Sequence, residues 1–181
     1  MGRGVIRKLQ NNLLGGEIDC MNDRYLYRGV NQKMYQSSNG VLCPKLMNCL
    51  FTYVFKADGS IKADGNAIAG PSKQNAVLGH QLNSDSFPTS GISTTPIFER
   101  AQHYATNGEQ YTGGYVFKLD RELLGSFGVE EYIVSKWVKN PSKPEDEEVI
   151  LVPQDLRELP TQVIVGIIEV SAQPGAGEGR S

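Results

Sequence analysis

The chain has 181 residues, 18 of them basic and 20 acidic, and the net charge of -2 supplies no positive field for a nucleic-acid partner. That length suits one domain with a full hydrophobic core, and no apolar run approaches the roughly 20 residues of a membrane-spanning helix. With 20 glycines and 9 prolines, the composition reads as soluble and loop-rich, built from short elements.

The N-terminus lacks the apolar core of a secretory signal. Val5, Ile6, Leu9, Leu13 and Leu14 instead fall on one face of a short amphipathic helix that stops at Gly15-Gly16, a lead-in over residues 1–23. Arg24–Val30 alternates apolar and aromatic positions as a strand does, with Arg28 in its middle. An arginine there either trails into water from an edge strand or offers a planar fork to phosphate or carboxylate. The three-and-four spacing of Leu46, Met47, Leu50, Phe51, Val54 and Phe55 predicts a helix from about Pro44 to about Phe55. Turns at Asp58-Gly59 and Asp64-Gly65 follow, then one or two helical turns over Asn75–Leu82 that carry His80. Cys20, Cys43 and Cys49 are odd in number and lack Cys-x-x-Cys spacing, which argues against a zinc site or a disulfide framework. They read as buried thiols, although Cys43 and Cys49 would close a small loop in an exported protein.

Phe87–Ala105 carries more information. A short strand bearing Ser93, Thr94 and Thr95 runs into a helix that Thr95 can cap, with Pro96 at its first position and Ile97, Ala101, Tyr104 and Ala105 on its packing face. A capped helix accounts for Thr95 but not for a serine inside the strand. Tyr115–Leu119 is a further strand, Leu123–Phe127 an apolar link, and Glu131–Val138 leads into an exposed loop over Lys139–Pro144. Gln162–Val170 is the most apolar strand and is expected in the middle of a sheet. Residues 171–181 are small, polar and glycine-rich, and are expected to form a disordered tail.

The exposed loop delivers four acidic residues, Glu145–Glu148, straight into the apolar Val149–Val152. In extended backbone Asp146 and Glu148 share one face, and Glu145 and Glu147 the other. A solvated loop ending at a strand would contain the same residues. A carboxylate pair facing a cleft, however, is what acid–base or cation-stabilising chemistry requires.

Three stretches in this order resemble the mono-ADP-ribosyltransferases, in the arginine–serine–glutamate branch that includes the cholera-like enterotoxin A subunits. Tyr27-Arg28-Gly29 looks like that branch's first-strand arginine motif, Ile92-Ser93-Thr94-Thr95 like its Ser-Thr-Ser, and Asp146-Glu147-Glu148 like its Glu-x-Glu. The resemblance runs from about Tyr25 to Val170. It implies an α+β fold of two small antiparallel sheets around an NAD cleft with flanking helices, in one catalytic domain over residues 1–170. It also implies the transfer of ADP-ribose from NAD to a side chain of a target protein, with NAD as co-substrate and no metal.

By the same resemblance Glu148, Ser93 and Asp146 are the catalytic set. Glu148 would stabilise the oxocarbenium-like cation, Ser93 would fix its rotamer, and Asp146 would meet the acceptor. Arg28, Gly29, Ser93, Thr94 and His80 would contact NAD. Tyr104, Phe98 and Trp137 are candidates for stacking on nicotinamide or touching the target. The chain departs from the pattern at Asp146, one methylene shorter than glutamate, so its acceptor need not be the arginine of Glu-x-Glu members. A toxin or effector domain is expected, monomeric, secreted or injected, and acting in the cytosol of a target cell without nucleic acid or membrane partners. An NAD glycohydrolase with the same site, or a catalytically dead binding module of the same fold, would carry the same motifs.

Overall fold

The computed structural model describes residues 24–48, 73–83, 88–107 and 110–171. The N-terminal lead-in, the loop over 56–70, Cys20, Cys49 and residues 172–181 lie outside them. Six strands are present among the described residues: β1 (Tyr25–Asn31), β2 (Ile92–Thr94), β3 (Gly113–Asp120), β4 (Val129–Ile133), β5 (Val149–Pro153) and β6 (Ile164–Ser171). The helices are α1 (Gln32–Ser37), α2 (Lys73–Asn83), α3 (Phe98–Thr106), and the single turns α4 (Arg121–Leu124) and α5 (Val134–Trp137). None is long and apolar enough to cross a membrane.

The strands form two antiparallel three-stranded sheets, ordered β1-β3-β6 and β2-β5-β4. This is the expected α+β architecture. Leu26, Phe117 and Leu119 of the first sheet meet Ile92, Val129, Val149 and Leu151 of the second in one core cluster. Ala101 and Ala105 of α3 cover the outer face of the first sheet against Val116 and Val170. Val77 of α2 and Val134 of α5 cover the outer face of the second against Ile150 and Val152. Lying between two strands and two layers, β5 is buried at every position, which accounts for its unbroken apolar run.

The most apolar strand is not central. β6 is an edge strand paired with β3, and Val165, Ile167 and Ile168 stand 47%, 45% and 38% exposed. Apolar content alone does not separate a central strand from an edge; the centre of this sheet belongs to β3, whose partners lie on both sides. Ser171, placed in the tail by composition, closes β6.

Two helix expectations also change. Pro44–Asn48 is a turn, held by Leu46 N–H on Thr89 O and Asn48 N–H on Leu156 O, with Asn48 at φ +54°. The remainder of that expected helix lies outside the described residues. α3 starts at Phe98 with Ile97 as its N-cap, so Thr95 does not cap it. The Thr95 hydroxyl instead accepts from Ile97 N–H at 3.0 Å and donates to the Asp146 carbonyl at 2.6 Å. Cys43, expected as a buried thiol, is exposed.

The sheets meet at one antiparallel bridge: Tyr27 N–H donates to Thr95 O at 2.7 Å, and Thr95 N–H to Tyr27 O at 3.0 Å. Beside this seam lies a cavity lined from both β1 and β2.

Candidate functional site

All seven residues expected from the resemblance to act in catalysis or contact the co-substrate, Arg28, Gly29, His80, Ser93, Thr94, Asp146 and Glu148, line one cavity of about 240 Å³. β1 brings Arg28 and Gly29, α2 brings His80, β2 brings Ser93 and Thr94, and the approach to β5 brings both carboxylates.

The carboxylates reach the cleft by a route that strand alternation does not describe. Pro144–Asp146 is a 3₁₀ turn, and Glu147 is left-handed at φ +45°, ψ +45°. Pro144 presets φ for such a turn, and the left-handed residue redirects the chain before β5 begins. The buried Asp146 and the half-buried Glu148 therefore face the same cavity with Glu147 outside it. The Glu148 carbonyl accepts from Val134 N–H at 3.0 Å, fixing the end of the turn to α5.

Glu148 stands in a prepared setting. Gln81 donates its side-chain amide to one carboxylate oxygen, and Ser93 also hydrogen-bonds the group. Burial pushes the Glu148 carboxyl above the usual range, the bonds from Ser93 and Gln81 and the Arg28 charge pull it down, and Asp146 adds repulsion. Arg28 donates to the Ser93 carbonyl at 3.1 Å. Burial lowers its guanidinium below the ordinary value while Glu148 holds it up. The guanidinium thus lies over the cleft and does not trail into water.

His80 Nε2 lies 2.6 Å from Ser93 Oγ and 3.7 Å from Glu148 Oε1. Burial, then the Arg28 and Lys45 charges, lowers its pKa to about 4, so at neutral pH the ring is uncharged and its contact with Glu148 is polar, not ionic. Nδ1 is buried without a partner. The Ser93 hydroxyl lies between the His80 ring and the Glu148 carboxylate and interacts with both. His80, Ser93 and Glu148 thus form one contiguous polar cluster.

The other predicted residues divide. The Thr94 hydroxyl is spent on the Val149 carbonyl at 2.7 Å and ties β2 to β5. Gly29 serves close packing: a Cβ there would collide with the Ala101 carbonyl oxygen of α3. Tyr104 lines the cavity, but its hydroxyl donates to Asp146. Phe98 packs edge-on to Tyr27 at 5.5 Å, and Trp137 leans on Tyr132 away from the cavity.

Sequence reasoning did not single out Gln81, Arg100 or Lys143. Arg100 Nε donates to Asp146 Oδ1 at 2.6 Å, and Lys143 Nζ to the Tyr104 hydroxyl at 3.0 Å. Position 100 is four residues before Tyr104 on the same helix face, a spacing that could have paired the two. Gln81 had no signal beyond adjacency to His80.

A second hollow of about 260 Å³ adjoins the first and shares Arg28, His80 and Ser93 with it; Val30, Leu42 and Phe117 line its far side. The arrangement thus offers two hollows meeting at an arginine, beside a half-buried, hydrogen-bonded carboxylate. In the comparison with known protein families, residues 25–151, more than two-thirds of the chain, match the family described as NarE. No curated protein matches the chain.

Proposed function

From the premise that this chain belongs to the NarE family, an ADP-ribosyltransferase-like family, we propose that it is an NAD-dependent mono-ADP-ribosyltransferase acting on a protein. The observation that carries the reading is Glu148, half-buried beside Gln81, Ser93 and Arg28 with one face open to the cleft. Cleavage of NAD breaks the bond between ribose C1′ and the nicotinamide nitrogen. The electron pair leaves with nicotinamide, and a cation develops at the ribose. A fixed carboxylate beside that cation stabilises the transition state more than the ground state, which is the condition for catalysis.

The two hollows joined at Arg28 suit a dinucleotide, whose halves are linked by a diphosphate. A guanidinium fork at the junction binds phosphate oxygens in pairs. In this reading the nicotinamide riboside lies beside Glu148, and the adenosine lies against Val30, Leu42 and Phe117. His80, held neutral, lies against the Ser93 hydroxyl and helps to position the serine beside Glu148. The acceptor enters past Asp146 and Tyr104.

The test is incubation with NAD labelled in its adenylate part plus a cell lysate, following nicotinamide release and the labelled protein by mass spectrometry. Glu148→Gln is expected to reduce nicotinamide release by about 10²–10³-fold, since it deletes one preorganised charge and keeps the shape. Its thermal midpoint and NAD affinity should stay near wild type. Wild-type turnover in that variant would refute the role of Glu148.

A further inference from the structure

Asp146, the carboxylate at the acceptor side of the cleft, is already occupied. One oxygen takes Nε and Nη2 of Arg100, each at 2.6 Å, and the other takes the Tyr104 hydroxyl. Arg100 Nη2 also reaches Glu145 Oε1 at 3.6 Å, and Lys143 closes the Tyr104 side at 3.0 Å. Asp146 itself is 7% exposed. A guanidinium acceptor approaching this carboxylate would meet two fixed cations and find both oxygens engaged. Like charges forced together in a partly buried site repel one another strongly.

Resting on the reading of the cleft as an NAD-cleaving site, we propose that Arg100 sets the acceptor class: by pairing with Asp146 it bars guanidinium acceptors and reserves the site for a neutral oxygen nucleophile. Arg100 is a specificity-determining residue that acts through Asp146. In the transfer, the C1′–N bond breaks with its electron pair leaving on nicotinamide. An oxygen lone pair then forms the new C1′–O bond, and the hydroxyl proton passes to the Glu148 carboxylate and on to water. The oxygen belongs to a side-chain hydroxyl or to water, and a neutral group of either kind enters without displacing Arg100.

The experiment measures, for each protein, nicotinamide released and ADP-ribosylagmatine formed when agmatine is supplied as a soluble guanidinium. Free ADP-ribose and protein-bound label are followed in parallel, to separate water from a hydroxyl acceptor. Wild type is expected to release nicotinamide and form no ADP-ribosylagmatine above the uncatalysed background. In Arg100→Gln the ratio of ADP-ribosylagmatine to nicotinamide should rise by about tenfold or more. Arg100→Lys, which keeps a cation on Asp146, should remain closed to agmatine, and adding Asp146→Asn to Arg100→Gln should cancel the gain. Efficient agmatine modification by wild type overturns the proposal on its own, whatever the variants do, and leaves the NAD-cleaving reading standing. An unchanged ratio in a folded Arg100→Gln also overturns it. Absence of nicotinamide release from wild type under all conditions overturns both readings.

Discussion

His80 is the residue at which burial and charge act in the same direction. Its pKa falls from 6.5 to about 4 because the ring is buried and because Arg28 and Lys45 oppose a further positive charge. Between those values the unfolded chain binds a proton that the folded chain refuses. Stability contributed by the neutral ring is therefore complete above about pH 6.5 and is lost as the pH falls toward 4, reaching on the order of 3 kcal/mol. Glu148 works in the opposite sense, since burial raises its carboxyl and the fold takes up that proton early. The difference between wild type and His80→Gln, measured as urea unfolding free energy from pH 4 to 7, isolates the histidine. Wild type should lose more stability on the acid side, and parallel curves would show that His80 does not titrate in this way. The residue-level site was legible wherever chemistry alone makes a side chain conspicuous, as for Arg28 inside a strand, Ser93 inside a strand and a carboxylate run before β5. Gln81 and Arg100 were not legible, because a glutamine or arginine on a helix surface looks the same whether it faces water or a carboxylate 46 or 67 positions away.

At the scale of the element, α3 shows how a backbone contact can govern a cleft. The helix lies so close to the first sheet that Gly29 faces the Ala101 carbonyl, and a Cβ at Gly114 would sit 2.5 Å from Ala105 O and 2.6 Å from Val30 O. In both cases the obstruction is main chain, which cannot rotate away. Gly29→Ala is therefore expected to displace α3, and with it Arg100 and Tyr104, the two partners of Asp146. A fall in thermal midpoint, together on the proposed reading with weaker NAD binding, is the measurable result; an unchanged midpoint would refute so close an approach. The sequence pattern identified β1, β2, β3 and α2 because each carries its period or its flanking signals locally. It did not identify α1, whose start rests on the Asn31 side chain accepting Met34 N–H at 2.8 Å, or β4, whose Glu130 and Glu131 face water and hide the alternation. The acidic turn was anticipated in outcome and not in geometry: Asp146 and Glu148 face one cavity because Glu147 is left-handed, and no pleat is involved.

For the whole molecule, the α+β class and the two small sheets follow the resemblance drawn from three short motifs, while layer order and strand position required the fold itself. Edge and centre depend on how many neighbours a strand finds, a property of pairing that residue content does not encode. Hence β5 and β6, both strongly apolar, lie at opposite extremes of burial. The cavity lies where the two sheets part, and a single pair of main-chain hydrogen bonds, Tyr27 to Thr95 and back, marks that line. Both residues also face the cavity. Their amide hydrogens are therefore built-in spectroscopic gauges of occupancy, independent of turnover. On the proposed reading, with NAD present and Glu148→Gln slowing its consumption, the isotope exchange of these two amides should slow more than that of the enclosed strand β5, so that loading of the cleft can be read from the seam apart from turnover.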